Sequence, residues 1–244
     1  MPDSDPDPNA IQFQLIARTG QPDFGDLPWH LPLIEWESDR LVEVARGLHR
    51  HVVVFVNYDG ALYALKELPE RLARREYALL RSLADRSASV VQAVGVVSRR
   101  AADADLEAVL ITRYLDFSLP YRALFAGRGT PELREHLLDA LAGLLVRLHL
   151  AGFFWGDCSL SNTLFRRDAG ALAAYLVDAE TGEIHPQLSD GQRFLDLELA
   201  ELHVAGELMD LEAAEVDLPW NLDPIETAAE IPRRYDALYS ALTH

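Results

Sequence analysis

Residues 62–80 read LYALKELPERLARREYALL, and the change of period inside this stretch decides how the first half of the chain is built. Up to Leu68 the pattern is that of a strand, rich in apolar and aromatic residues. Pro69 then opens a helix, at a position where a missing N–H is tolerated. Lys66, near the end of the strand, is the only lysine among the 22 Lys and Arg residues of the chain. A guanidinium is a broad planar fork and an ammonium a compact point charge, so one lysine kept among arginines suggests a need for the smaller shape. Chance retention is the alternative. On the helix, Leu72, Leu79, Leu80 and Leu83 share one face at about 100° per residue, and Glu76 projects within that stripe. A carboxylate among apolar neighbours is costly unless paired. Lys66 is the candidate partner; the competing reading puts Glu76 at the rim of the stripe, paired with an arginine or with water.

Working outward, the segment from about Leu41 to Lys66 is rich in Val, Leu, Phe and Tyr and is broken at ARGLHRH and NYDG, which predicts three successive antiparallel strands with a hairpin turn at Asn57 to Gly60. Before it lies a Pro-punctuated lead containing DLPWHLPLIEW, and residues 1–10, MPDSDPDPNA, carry too little apolar surface to order and read as a mobile tail. Downstream of the first helix, SVVQAVGVVS and EAVLITRYL, separated by RRAADAD, predict another pair of strands. Thr130 is placed to cap the long helix PELREHLLDALAGLLVRLHLA, in which Leu133, Leu137, Leu141, Leu144 and Leu148 recur at helical spacing, and Gly152 is placed to end it. Beyond come a polar loop, WGDCSLSNT, and a hairpin with LF and ALAAYLVD as strands and RRDAG as turn. A helix, RFLDLELAELHVAGELMDL, and an amphipathic closing helix, RRYDALYSAL, complete the chain. Strands with one helix first and mostly helices afterwards predict an α+β fold of two lobes. An antiparallel-sheet N-lobe and a compact, mostly helical C-lobe would flank a crevice, with TRYLDF as the connection. The boundaries fall at 1–26 for tail and lead-in, 27–115 for the N-lobe and 116–244 for the C-lobe.

The 39 acidic residues against 22 basic ones give a formal net charge of −17, which opposes nonspecific binding to nucleic acid and docking on anionic lipid. A local cluster of donors with a divalent cation can still bind a nucleotide, because the distant field is screened at physiological salt. One cysteine, Cys158, excludes an internal disulfide, and no signal peptide or membrane-length apolar run is present. The cytoplasm is the expected compartment, with no integral membrane segment.

The loop after the long helix carries Asp157 and, five positions later, Asn162. A carboxylate there can orient or deprotonate a hydroxyl, and a carboxamide oxygen can hold a metal; an Asx-rich turn explains the same letters. Asp178 ends a mostly apolar strand, where it is either a magnesium ligand or a turn former. Taken in order, lysine on a strand, glutamate on the next helix, Asp157 and Asn162 in a loop and Asp178 after a hairpin are the layout of a phosphoryl-transfer site.

On these residues the chain resembles the protein-kinase-like superfamily. LHLAGFFWGDCSLSNTLF is most similar to the small bacterial branch with lipopolysaccharide kinases, aminoglycoside phosphotransferases and atypical kinases, and LPWHLPLIEW, HVVVFV and LYALKELPERLARREYALL resemble an uncharacterised actinobacterial family described as lipopolysaccharide-kinase-like. The resemblance runs from about Leu27 to the C terminus and implies ATP and Mg²⁺ as cofactors and an acceptor hydroxyl of unknown identity, on a small molecule or a protein. It implies that Lys66 contacts the early phosphates and pairs with Glu76, that Asp157 orients the acceptor hydroxyl, that Asn162 and Asp178 hold Mg²⁺, and that the backbone of Arg113, Tyr114 and Leu115 receives the adenine. The phosphate-covering loop, glycine-rich in such proteins, offers Gly47 alone in VARGLHRHVV. Trp155 stands where the family usually has His, and DAE, with Glu180, replaces DFG. The same fold leaves two other readings, a pseudokinase or scaffold and an adenylyl transferase.

Arg193 and Asp196 are expected to tie their helix to the loop as a hydrogen-bonded pair, and Cys158 to be a small buried thiol. His149 should pack at the end of its helix, while His49 and His51 read as half-exposed strand residues and only secondarily as phosphate contacts.

Overall fold

The structure, a computed structural model, describes residues 12–17, 20–44, 51–100, 106–125, 131–168, 170–214 and 223–243. The tail at residues 1–10, Gly47, His49 and the proposed cap Thr130 lie outside the described residues. The chain divides into two compact units, Met1–Ala78 with Gln92–Asp116, and Leu79–Val91 with Phe117–His244.

The first unit is built on a five-stranded antiparallel sheet of β1 (Gln12–Ala17), β2 (Val53–Tyr58), β3 (Ala61–Leu68), β4 (Gln92–Arg100) and β5 (Ala108–Arg113), in the order β1-β4-β5-β3-β2. The turn between β2 and β3 falls where NYDG predicts it. Asp59 and Gly60 both have positive φ, 52° and 81°, as a tight twisted hairpin requires, and Asn57 Oδ1 accepts the Gly60 N–H at 3.1 Å. Two expectations are corrected here. The first of the three predicted strands is reduced to a bridge between Leu41 and Val56, and the fifth strand is instead β1, inside the stretch read as lead-in. Its sequence, QFQLIA, is too short and too mixed to stand out, and it gains its conformation by pairing with the edge of β4.

The rest of the lead-in is core. Phe24, Leu27, Trp29, Leu33 and Trp36 cluster with Val56, Tyr58, Tyr63, Leu65, Val94, Val97, Val109 and Ile111 from the strands. Both indoles satisfy their N–H locally, Trp29 on the Phe24 carbonyl at 2.8 Å and Trp36 on the Leu31 carbonyl at 2.9 Å, as buried tryptophans must. The buried guanidinium of Arg99 donates to the carbonyls of Glu107 (2.6 Å) and Leu31 (2.8 Å) and pairs with Glu67, which also accepts from Leu33 N. Prolines break the lead into turns, and its apolar residues close over the sheet.

Helix α1 (Glu70–Asp85) follows β3 directly, with the Pro69 carbonyl accepting the N–H groups of Leu72 and Ala73. Its buried stripe is Ala73, Glu76, Leu80 and Leu83, with Leu72 and Leu79 on the flanks.

In the second unit, α2 (Tyr121–Phe125) and α3 (Pro131–Leu150) precede the hairpin, and α4 (Asp190–Ala213) and α5 (Pro224–Thr243) follow it. Helix α3 is its core: Leu137, Leu141, Leu144, Leu145, Val146 and Leu148 are all buried. Gly152 ends α3 at φ +78°, and a Cβ there would lie 2.2 Å from the His185 carbonyl oxygen, so both the backbone and the space demand glycine. The two-residue strand β6 (Leu119–Pro120) pairs with β8 (Thr163–Asp168), which pairs with β9 (Ala171–Leu176), while β7 (Phe153–Phe154) pairs with β10 (Glu183–Ile184). Strand β8 runs through Arg166–Asp168, which the sequence reading assigns to the turn. Ser189 caps α4 in a reciprocal box with Gln192. Helix α5 begins nine residues earlier than RRYDALYSAL and continues through Pro232, held to α3 by Arg234 on Glu135 and Asp139. Among the described residues no helix is long and apolar enough to cross a membrane.

Candidate active site

In the first unit the lone lysine has found the glutamate. Lys66 Nζ lies 3.0 Å from Glu76 Oε2, with the glutamate side chain 1% exposed and the lysine side chain 14%. The sheet register fixes the donor: Lys66 stands opposite Val53 on β2 and Leu110 on β5, so the lysine backbone cannot shift along its strand without breaking two ladders. The helix is held by a second polar bridge, in which Ser98 on β4 donates to Glu70 at 2.7 Å and accepts from Arg74 at 2.9 Å. Beyond the end of β5, the Tyr114 N–H donates to the Leu62 carbonyl at 2.9 Å, so this amide of the Arg113–Leu115 stretch is already committed.

In the second unit the loop from Trp155 to Asn162 is held almost entirely through its backbone. Asp196, fully buried on α4, accepts the N–H of Trp155 at 2.7 Å and of Gly156 at 2.8 Å, and its Oδ2 lies 3.0 Å from His149 Nε2. His149 Nδ1 is in turn 2.7 Å from the Tyr235 hydroxyl on α5, whose ionisation burial opposes by raising its pKa. His149 is therefore a buried polar link as well as a packing residue. Asp196 does tie its helix to the loop, but Arg193 is not its partner: that guanidinium pairs with Asp190, donates to the Leu188 carbonyl at 2.9 Å and lies over the Tyr239 ring. Further along α4, Glu207 accepts the N–H groups of Leu160 at 2.6 Å and Ser161 at 3.0 Å.

Asp157 and Asn162 come together at the exposed side of this loop. Asn162 Nδ2 donates to Asp157 Oδ2 at 3.1 Å and to the Asp157 carbonyl at 3.2 Å. With the nitrogen end of the carboxamide so used, Oδ1 is the end available to a cation. Asp178 is placed next to Asn162 by the base of the hairpin, where Thr163 faces Leu176 and Val177 N donates to the Asn162 carbonyl at 3.0 Å. Asp178 Oδ1 accepts the Glu180 N–H at 2.9 Å, the local turn the sequence allowed, and carboxylate oxygens of Asp178 and Glu180 lie within 4.8 Å of each other. This donor set of carboxylate and amide oxygens is the chemistry Mg²⁺ takes, and it leaves coordination places for water and phosphate. Trp155 also has a clear part. Its buried indole N–H donates to the Asp178 carbonyl at 3.2 Å, and its own carbonyl accepts from Thr181 Oγ1 at 3.0 Å, linking the loop to the Asp178 segment. Cys158 is fully buried, and desolvation followed by the nearby Asp196 charge raises its pKa well above the usual thiol value.

Residues 58–217, about two-thirds of the chain, match the lipopolysaccharide kinase (Kdo/WaaP) family. The chain belongs to this family. The Kdo/WaaP match takes in Lys66, Glu76, Asp157, Asn162 and Asp178 and stops short of α5. Among solved structures the chain is similar to WaaP in complex with acyl carrier protein, at 20% identity over 81% of this chain and 88% of that one, with a TM-score of 0.49. It is also similar to the BubR1 kinase domain, at 14% identity over 62% of this chain and 49% of that one, with a TM-score of 0.46. A search of the curated proteins finds no match.

The sequence reading missed the two α4 residues that contact the loop, His203 and Glu207. A signal existed, since positions 196, 203 and 207 share one helical face, but in an acid-rich helix a further Glu and a His carry no mark of their own.

Proposed function

We propose that this member of the Kdo/WaaP family is an ATP- and Mg²⁺-dependent phosphotransferase that acts on an acceptor hydroxyl in the cytoplasm. The observation that carries the reading is the ion pair between the sole lysine and a glutamate buried in the apolar stripe of α1. A buried pair of this kind is weak evidence for stability, because desolvation offsets much of its attraction, and so it argues for a use of the ammonium. Lys66, oriented by Glu76, neutralises charge on the early phosphates. Asn162 Oδ1 and Asp178 would hold Mg²⁺, which when bound supplies charge neutralisation at the phosphates and fixes their geometry. Asp157 accepts the hydroxyl proton as the acceptor oxygen bonds to the γ-phosphorus and the bond from that phosphorus to the departing ADP oxygen breaks. The backbone of Arg113, Tyr114 and Leu115 receives the adenine, Tyr114 N–H excepted. Gly47 is kept as the phosphate-loop glycine on the resemblance alone.

The lipopolysaccharide of the family name is not carried over as the acceptor. A net charge of −17 opposes approach to an anionic lipid surface, which favours a neutral or cationic acceptor. The test is label transfer from γ-labelled and α-labelled ATP, with Mg²⁺, to the protein itself or to fractions of a cell lysate. Label from the γ position, lost in Asp157→Ala, is the expected result. Label from the α position overturns the reading in favour of adenylyl transfer, and absence of both with no binding of Mg-ATP leaves a scaffold.

A further inference from the structure

Helix α4 meets the loop three times, in the same order along both segments: Asp196 at Trp155 and Gly156, His203 at Asp157 and Cys158, and Glu207 at Leu160 and Ser161. The spacings of seven and four residues put all three side chains on one face of the helix. The outer two contacts are short bonds from backbone N–H to carboxylate, between 2.6 and 3.0 Å, and they fix the loop in register against the helix. The middle contact therefore places an imidazole against the carboxylate assigned as proton acceptor.

We propose that His203 is a positioning residue for Asp157, an inference that rests on the assignment of Asp157 above. His203 Nδ1 lies 3.3 Å from the Cys158 carbonyl oxygen and 3.5 Å from Asp157 Oδ1. A carbonyl oxygen only accepts, so the hydrogen is on Nδ1 and is donated to the Cys158 carbonyl, with the Asp157 carboxylate beside the same N–H. Asp157 Oδ2 accepts from Asn162 Nδ2, so one carboxylate oxygen is held by a hydrogen bond and the other lies beside the positive end of the His203 N–H, which favours that one orientation. His203 is 31% exposed and Asp157 38%, so neither side chain is there to fill the core. Held in this way, the carboxylate keeps one orientation toward an incoming hydroxyl, and misplacement of such a group is felt in turnover far more than in ground-state binding.

The rival account makes His203 only a cap on the Cys158 carbonyl. His203→Ala separates the two, because loss of a carbonyl cap alone leaves turnover near wild type; asparagine then tests for a donor at that place, because its side-chain N–H₂ reaches the place of Nδ1, whereas the amide of glutamine stands one methylene farther out. Hydrolysis of Mg-ATP by the full chain, with water as acceptor, is the assay. His203→Ala is expected to lower turnover about tenfold or more with KM for ATP within about twofold of wild type. His203→Asn should recover most of the loss and His203→Gln little of it. Equal turnover in the alanine and asparagine variants, or wild-type turnover in His203→Ala while Asp157→Ala is inactive, overturns the inference and leaves the assignment of Asp157 standing. Full turnover in Asp157→Ala sinks both. A second measurement needs no nucleotide: ¹⁵N shifts of the His203 ring by NMR should report hydrogen on Nδ1 in the neutral imidazole, and hydrogen on Nε2 refutes the proposal directly.

Discussion

The two units hold their functional groups by opposite means. In the first, one side chain orients another: the Lys66 ammonium pairs with the Glu76 carboxylate on a neighbouring helix, with the strand register behind it. In the second, side chains fix backbone: Asp196 and Glu207 hold four N–H groups of the loop, and Asp157 and Asn162 are carried into place by the segment that is pinned. The lysine proposed to meet the phosphates is itself half of the buried pair, whereas Asp157, the proposed proton acceptor, is not one of the groups that pin the loop backbone. Function and stability should separate cleanly in the second unit and poorly in the first.

The largest effect expected is on chemistry alone. Asp157→Ala should lower phosphoryl transfer by about 10²- to 10⁴-fold, the usual range for a positioned acid-base group, with little change in the unfolding midpoint. A comparable loss of stability would show that the loop depends on that carboxylate and would break the contrast. Next, Asp196→Asn replaces a fully buried acceptor of three contacts by an amide whose NH₂ faces donors. A loss of about 3 kcal/mol or more in urea unfolding is expected, read on second-unit probes such as Trp155 fluorescence. Lys66→Met leaves the Glu76 carboxylate without its ammonium and should cost about 3 kcal/mol as well as activity. The double variant with Glu76→Leu should recover much of the stability and none of the activity, since an apolar pair of similar volume often matches a buried ion pair. Trp155→Phe removes one N–H donor from the Asp178 carbonyl and should cost about 1 kcal/mol. The smallest effect is at Cys158, where burial raises the thiol pKa: the folded protein should resist alkylation at pH 8, and labelling should appear only on unfolding.

The same contrast explains how much the sequence disclosed. Strand-to-helix periodicity around Lys66 and Glu76 exposes a charge where none is expected, and the long leucine repeat of α3 marks the second core. Asp157, Asn162 and Asp178 stand out as candidates by their order along the chain and their places at the ends of elements, and the structure brings Asp157 and Asn162 together beside the Asp178 segment. Less visible was whatever acts through the backbone. Asp196 is expected at the loop, but Glu207, which holds it farther along α4, looks like a surface acid until the loop is laid against it. Strand β1 owes its conformation to a partner some eighty residues away, and the lead-in mixes prolines with the tryptophans that close the sheet. Arg193 is expected to pair with Asp196, but Asp190 lies as near on its other side, and the guanidinium pairs there and lies over the α5 ring of Tyr239.

The proposed function assigns both Lys66 and Asp178 to the binding of Mg-ATP, and thermal unfolding with saturating Mg-ATP tests that most directly. A ligand at about 100 times its Kd stabilises the folded form by about 2.7 kcal/mol, so the wild-type midpoint should rise by several degrees. The rise should vanish in both Lys66→Met and Asp178→Asn. A wild-type protein that Mg-ATP does not stabilise, or a shift that survives intact in either variant, would contradict it.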